Sequence, residues 1–178
     1  MKNKIKTVIS ILFVVSISFS ASGQNHATII KVQAMDMATA LMKNDFTTFS
    51  KYMHPNIISF AGGKEKMKTK MDSAYAAMKL FGVSFKRYWI GSPGDIINYR
   101  DQLQAVLPES TVMKTPLGEL TAETSIIAIS TDKGKNWYFI DTNVYKVDRI
   151  KNILPDISPK LVIPPQKKPQ LTPSKTNE

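Results

Sequence analysis

Leu103–Asp141 reads LQAVLPESTVMKTPLGELTAETSIIAISTDKGKNWYFID, and its punctuation decides the fold. Two turn signals, Thr115-Pro116-Leu117-Gly118 and Asp132-Lys133-Gly134-Lys135, divide it into three apolar runs. Gly134 supplies the positive φ that a short hairpin loop with a bulge demands. From Leu120 to Thr131 the chain first alternates, then becomes apolar on both faces at Ile126, Ile127, Ala128 and Ile129. Trp137-Tyr138-Phe139-Ile140 is two-sided in the same way. Strands solvated on one side alternate, so these runs predict an antiparallel meander covered on both faces.

Upstream of the meander the period changes to that of helices. Ile30, Ala34, Met37, Ala38 and Leu41 predict an amphipathic helix over 26–43, broken by Asn44-Asp45. Asp45 can cap a second, short helix carrying Phe46, Phe49 and Met53, which Pro55 ends. Asn56-Ile57-Ile58-Ser59-Phe60 then reads as a short strand stopped by Gly62-Gly63. Lys64 to Leu80 is the long third helix, with Met67, Met71, Ala74 and Met78 on one stripe, Tyr75 beside it, and Gly82 as its C-terminal glycine. Val83 to Ile90 is a strand, Gly91-Ser92-Pro93-Gly94 a turn, and Ile96 to Tyr99 a further extended run.

Downstream, Thr142 or Asn143 can cap a helical segment with Val144, Val147, Ile150 and Leu154, stopped at Pro155. Leu161-Val162-Ile163 is the last apolar patch. From Pro164 the composition is Pro, Gln, Lys, Ser and Thr, which predicts a disordered or polyproline-like tail over 164–178. Two covers suggest themselves for the second face of the meander. One is the 143–163 segment packing back on the domain; the other is a second copy in a homodimer through the outer sheet face.

Residues 1–23 stand apart. Lys2, Lys4 and Lys6 form a positive n-region, Ile5–Phe19 is an apolar stretch, and Ser20-Ala21-Ser22-Gly23 offers small residues for cleavage, which predicts a secretory signal peptide and a mature chain from Gln24. After cleavage no apolar run is long enough for a transmembrane helix. The chain has no cysteine, which excludes disulfides, thiolate metal sites, a cysteine nucleophile and a lipidated cysteine. Export without disulfides points to the periplasm or the exterior of a bacterial-type cell. The formal charge of +10 falls to +7 without the three leader lysines. The remaining basic residues are spread along the chain, and an exported protein has little access to nucleic acid, so none is expected as a partner.

Lys43-Asn44-Asp45-Phe46-Thr47-Thr48-Phe49-Ser50-Lys51-Tyr52-Met53-His54-Pro55-Asn56 resembles the second-helix region of SnoaL-like and nuclear-transport-factor-2-like domains. There a similar run leads from an aspartate and a hydrophobic residue to His-Pro-Asp. The resemblance covers about 27–142. It implies an α+β cone in which a curved, mostly antiparallel sheet wraps a long helix, with helices on one face, around an apolar pocket. Some members are isomerases, dehydratases or cyclases; many only bind. The Asp132–Asp141 ending also looks like that of exported Bacteroidota-type proteins. The organisation expected is a leader at 1–23, the domain at 24–142, the packing segment at 143–163 and the tail at 164–178.

Little chemistry is visible. His26 and His54 lack partners at ligand spacing, so no metal is expected. No glycine-flanked nucleophile elbow and no phosphate-cradling loop occurs, and no cofactor is implied. The isomerases of the resembled family use a pocket carboxylate with a tyrosine; the carboxylates weighed for that role are Asp95, Asp101, Glu119 and Glu123, all at positions that read as solvent-facing. No catalytic residue is assigned. Phe60, Met67, Met71, Tyr75, Phe85, Trp89 and Tyr99 lie on elements that would line a cone, although core packing uses the same residue types. Trp89 and Tyr99 add polar handles. The reading is a secreted, non-enzymatic domain binding a small apolar molecule or a partner. The alternatives are a cofactor-free isomerase or cyclase and a structural envelope protein.

Overall fold

A computed structural model of the protein describes residues 25–145 and 147–174, so the leader and the last four residues lie outside the described part. The first helix, α1, spans 25–42. It is followed by α2 (Phe46–Phe49), a 3-10 turn (Ser50–Tyr52), α3 (Pro55–Phe60) and α4 (Lys64–Leu80). The strands are β1 (Ser84–Ile90), β2 (Ile97–Tyr99), β3 (Gln102–Thr115), β4 (Gly118–Ser130), β5 (Tyr138–Asp141) and β6 (Gln170–Pro173), with α5 (Val147–Ile153) between the last two. The chain is α+β, with a six-stranded antiparallel sheet among the described residues.

The quoted stretch is the spine. β3 and β4 pair continuously from Leu103↔Ser130 to Thr115↔Gly118 across a two-residue turn. Each long strand shares its outer edge between two short ones. β1 and β2 take the two ends of β3, and β5 and β6 the two ends of β4. Both faces of the spine are covered. Ala105, Leu107, Ile126, Ala128 and Phe139 pack with Trp137 against Ile30, Ala34 and Met37 of α1. On the opposite face Ile127, Ile129 and Ile140 pack against Met53, Ile57 of α3, Ile150 of α5, Leu154 and Ile157. Helices therefore lie on both faces, not one. The chain crosses from face to face past the edge of β5, where Met53 bridges Phe139.

The local punctuation explains the helix ends. Asn44 adopts φ 55 just beyond α1, and the amide of Asp45 donates to the Ala40 carbonyl. The Asp45 carboxylate then accepts from the Thr48 amide at 3.0 Å and caps α2. The expected strand at 56–60 is instead helix α3. Pro55 opens it at its first turn, where a proline costs no hydrogen bond, and the His54 side chain caps it through the Asn56 amide. A proline that ends one helix can start the next. α4 has the bounds read from its period and stops at Gly82 (φ +65), but none of its residues is buried. The helix the sheet buries is α1.

The 143–163 segment packs back on the second face, with Ile150, Leu154 and Ile157 buried. A buried glutamine holds it. The Gln104 amide nitrogen donates to the Asp156 carbonyl at 2.7 Å, and its oxygen accepts from the Ser158 amide at 2.8 Å. Val144 and Val162, expected to help, are exposed. The tail departs from the expectation of disorder, because Gln170–Pro173 forms β6 on the free edge of β4. All four β6 residues are exposed, so backbone pairing accounts for the strand where composition offered nothing to bury.

Candidate functional site

A cleft of about 1060 Å³ lies along β1, β3 and β4, walled on one side by Pro164, Pro165 and Lys167 of the tail. Strand pairing builds its floor. Arg87 pairs with Val112 and Trp89 with Ser110 between β1 and β3, while Val112 pairs with Thr121 and Ser110 with Glu123 between β3 and β4. These residues alternate with Tyr88, Thr111 and Ala122, so they share one side of the sheet. Lys86 makes this possible. The register slips by one residue between Phe85 and Arg87, and this bulge re-aims every side chain that follows.

Trp89 is 56% exposed in the cleft. Its ring leans toward Gly91 and Pro108; a Cβ placed on Gly91 would meet Trp89 Cη2 at 2.8 Å and Pro108 Cγ at 2.6 Å. The cleft thus has an apolar floor of Trp89, Pro108 and Val112, with hydroxyls from Ser110, Thr121, Thr124 and Ser125 around it. At its edges the Lys167 ammonium pairs with Glu123 at 2.6 Å, and Arg87 has Glu119 at 3.8 Å.

Beneath the cleft, on the α1 side of the sheet, lie two acids, Glu109 buried and Asp141 half-buried. Glu109 is 3% exposed, and the Tyr88 hydroxyl donates to its Oε2 in a short hydrogen bond. Burial pushes the Glu109 carboxyl up to about 8, with the Asp141 charge adding to the shift and the Tyr88 bond opposing it. Asp141 is raised as well, by burial, although the Asn143 and Val144 amides favour its charged form. Tyr88 lies well above the usual phenol range, first through burial and then through the Glu109 charge. A carboxyl kept neutral beside a phenol can donate or accept a proton, so this trio has the chemistry of an acid–base site. Tyr88 and Thr124 contribute to the cleft lining; Glu109 and Asp141 do not.

The residues expected to line a pocket are scattered. Phe60 is 53% exposed under the Arg149 guanidinium. Met67 borders the second core and Met71 is half-buried on α4. Tyr75 packs on Phe85 with ring centroids 5.9 Å apart, and Tyr99 carries the Arg100 guanidinium over its ring. Of the seven, Trp89 alone lines this cleft, which is open to the surface. The four carboxylates weighed earlier all lie at the surface. Asp95 and Asp101 are exposed, Glu119 pairs with Lys86, and Glu123 with Lys167. His26 edges Trp137, and His54 edges Tyr138. No group of three His, Cys, Asp or Glu among the described residues is placed to hold a metal, and no described helix is long and apolar enough to cross a membrane.

No family model matches the chain, and neither a curated protein nor a solved structure does. What the molecule does is therefore read from its geometry.

Proposed function

We propose that the protein is a non-enzymatic binding domain whose site is the cleft on β1, β3 and β4. The half-exposed indole of Trp89 carries this reading. Leaving a large aromatic in water forgoes its burial energy, and here the ring sits on an apolar floor ringed by hydroxyls, the mixture that small-molecule sites use. The ligand class that fits is a small molecule with an apolar body and a few hydrogen-bonding groups. A thermal-shift screen tests it, since a ligand at a hundred times its dissociation constant adds about 2.7 kcal/mol. Ligands found this way should lose their shift in Trp89→Ala. A shift untouched by that substitution places the site elsewhere.

The SnoaL-like and nuclear-transport-factor-2-like reading, and export through the leader, belong to the same proposal. Support for the first comes from a helical N-terminal half followed by a long antiparallel meander; support for the second comes from the residues of the leader itself. Intact mass of the exported protein checks the second, with a start at Gln24 expected.

The hydrogen bond of half-buried Tyr88 to buried Glu109 favours one other reading, an isomerase or cyclase in which Glu109 moves the proton and Tyr88 steadies an oxyanion. Deuterium uptake by a bound carbonyl compound, lost in Glu109→Gln, would decide for it. Binding without such exchange decides for the binding domain.

A further inference from the structure

The α4–β1 turn and the tip of the β3–β4 hairpin come together at one end of the molecule. Ser84 pairs with Lys114, and a Cβ on Gly82 would sit 3.4 Å from Pro116 Cγ. The two loops place three bulky apolar side chains in water. Leu80 is 80% exposed, Phe81 68% and Leu117 71%, with Pro116 exposed between the loops. Such exposure is costly for side chains of this size, and the three come from two segments distant in sequence. A monomer that gathers large apolar groups at one tip has something to cover them.

The charges beside the tip say what. Lys79 precedes Leu80, Lys114 is the penultimate residue of β3 beside the hairpin turn, and Lys86 and Arg87 follow on β1. Among the described residues, the acid paired with these cations is Glu119, which Lys86 and Arg87 share. Asp72, further back on α4, is engaged by Lys68 at 2.6 Å. An apolar tip inside a ring of excess positive charge matches a surface that is anionic outside and apolar a few ångströms within. We infer that the tip formed by Leu80, Phe81, Pro116 and Leu117, ringed by Lys79 and Lys114, docks on an anionic lipid surface by shallow insertion. A protein partner with an acidic rim would need a shaped apolar socket, for which two short loop tips are a poor template. A bilayer needs no such shape.

The test uses the chain from Gln24 to Glu178, which carries every residue of both cores and lacks the apolar leader that would itself bind vesicles. It is sedimented with phosphatidylcholine vesicles, with and without phosphatidylglycerol. Binding is expected to the anionic vesicles and to fall with added salt. The Leu80→Ser, Phe81→Ser, Leu117→Ser variant should lose roughly tenfold or more in partitioning. Lys79→Glu with Lys114→Glu should lose roughly fivefold per position. All five positions are exposed, so both variants should melt with the parent, which the same samples check. Failure to bind anionic vesicles, or equal binding by the serine variant, overturns the inference. Binding that survives the lysine reversals overturns the choice of an anionic surface. A dimer of the parent that the serine variant abolishes, without vesicle binding, assigns the tip to a second copy instead.

Discussion

Replacing Glu109 by glutamine should change how stability depends on pH while leaving the fold intact. In the folded chain the Glu109 carboxyl titrates at about 8, against 4.5 for the free group. Between those values the folded state keeps a proton that the unfolded state has released, so unfolding free energy falls as pH rises. Each pH step in the window removes about 1.4 kcal/mol, which over the whole interval comes to about 5 kcal/mol. The stabilisation is complete below 4.5 and gone above 8. Asp141, also raised by burial, slopes the same way. His54 slopes oppositely near its ordinary 6.5, because burial lowers its pKa and makes protonation costly. The difference between variant and parent removes the His54 contribution and isolates Glu109 together with the Asp141 that interacts with it. Glutamine has the shape of the neutral carboxyl and still accepts from the Tyr88 hydroxyl, so Glu109→Gln should match the parent near pH 5 and exceed it by several kcal/mol near pH 9. Urea unfolding followed by Trp137 emission at stepped pH measures this. A parent curve flat from pH 5 to 8 alongside an identical variant would refute the buried-acid argument.

Other consequences are simpler to measure. Gly134→Val should lower the denaturation midpoint by ~1 kcal/mol or more, since Gly134 holds φ +85 and a Cβ there would come within 2.6 Å of the His26 ring. Truncation after Thr142 should cause aggregation or dye binding, because it strips Ile150, Leu154 and Ile157 from Ile127, Ile129 and Ile140, whereas truncation after Ile163 removes no core residue and should cost little. Gln104→Leu should destabilise by roughly 1–3 kcal/mol in thermal or urea unfolding, as it leaves the Asp156 carbonyl and the Ser158 amide without their partner.

The spine and its coverage were legible because the decisive signals are local. The turns at Pro116-Leu117 and at Gly134, the stop at Asn44, the cap at Asp45 and the bounds of α4 each follow from one or two residues whose backbone preferences are strong. The two-sided apolar run at 126–129 likewise foretold cover on both faces, and the 143–163 segment supplies one of them. What was illegible depends on tertiary partners. Ile57 and Ile58 are β-formers by propensity, yet Pro55 starts a helix there and Ile57 drops into the second core. β6 has no burial signal at all, since it exists through the backbone edge that β4 leaves open above β5. The positions of the methionines on α4 have a related cause. Methionines on an amphipathic stripe read as facing an interior, but the sheet buries α1 and leaves α4 outside.

Glu109 and Asp141 were missed although strand parity carried the signal. Pro108 stands between Leu107 and Glu109 in β3. The strand runs through it: Pro108 pairs with Ser125 and is exposed, while Leu107 and Glu109 point to the α1 side along with Ala105. Counting by twos from two buried residues leads directly to the acid. The same count from Phe139 reaches Asp141, whose carboxylate also accepts from the Asn143 amide at 2.6 Å and turns the chain out of β5. Alternation finds a buried charge only when the inward face is fixed first, and here the two-sided run at 126–129 concealed which face that was. The register with Ile126 resolves it, because Leu107 and Asp141 flank that residue on either side in one row, with Glu109 one row away. Glu109 on β3 and Asp141 on β5 share one face with β4 between them, and burial together with the Asp141 charge favours the neutral form of Glu109. That preference is what the pH comparison of Glu109→Gln measures.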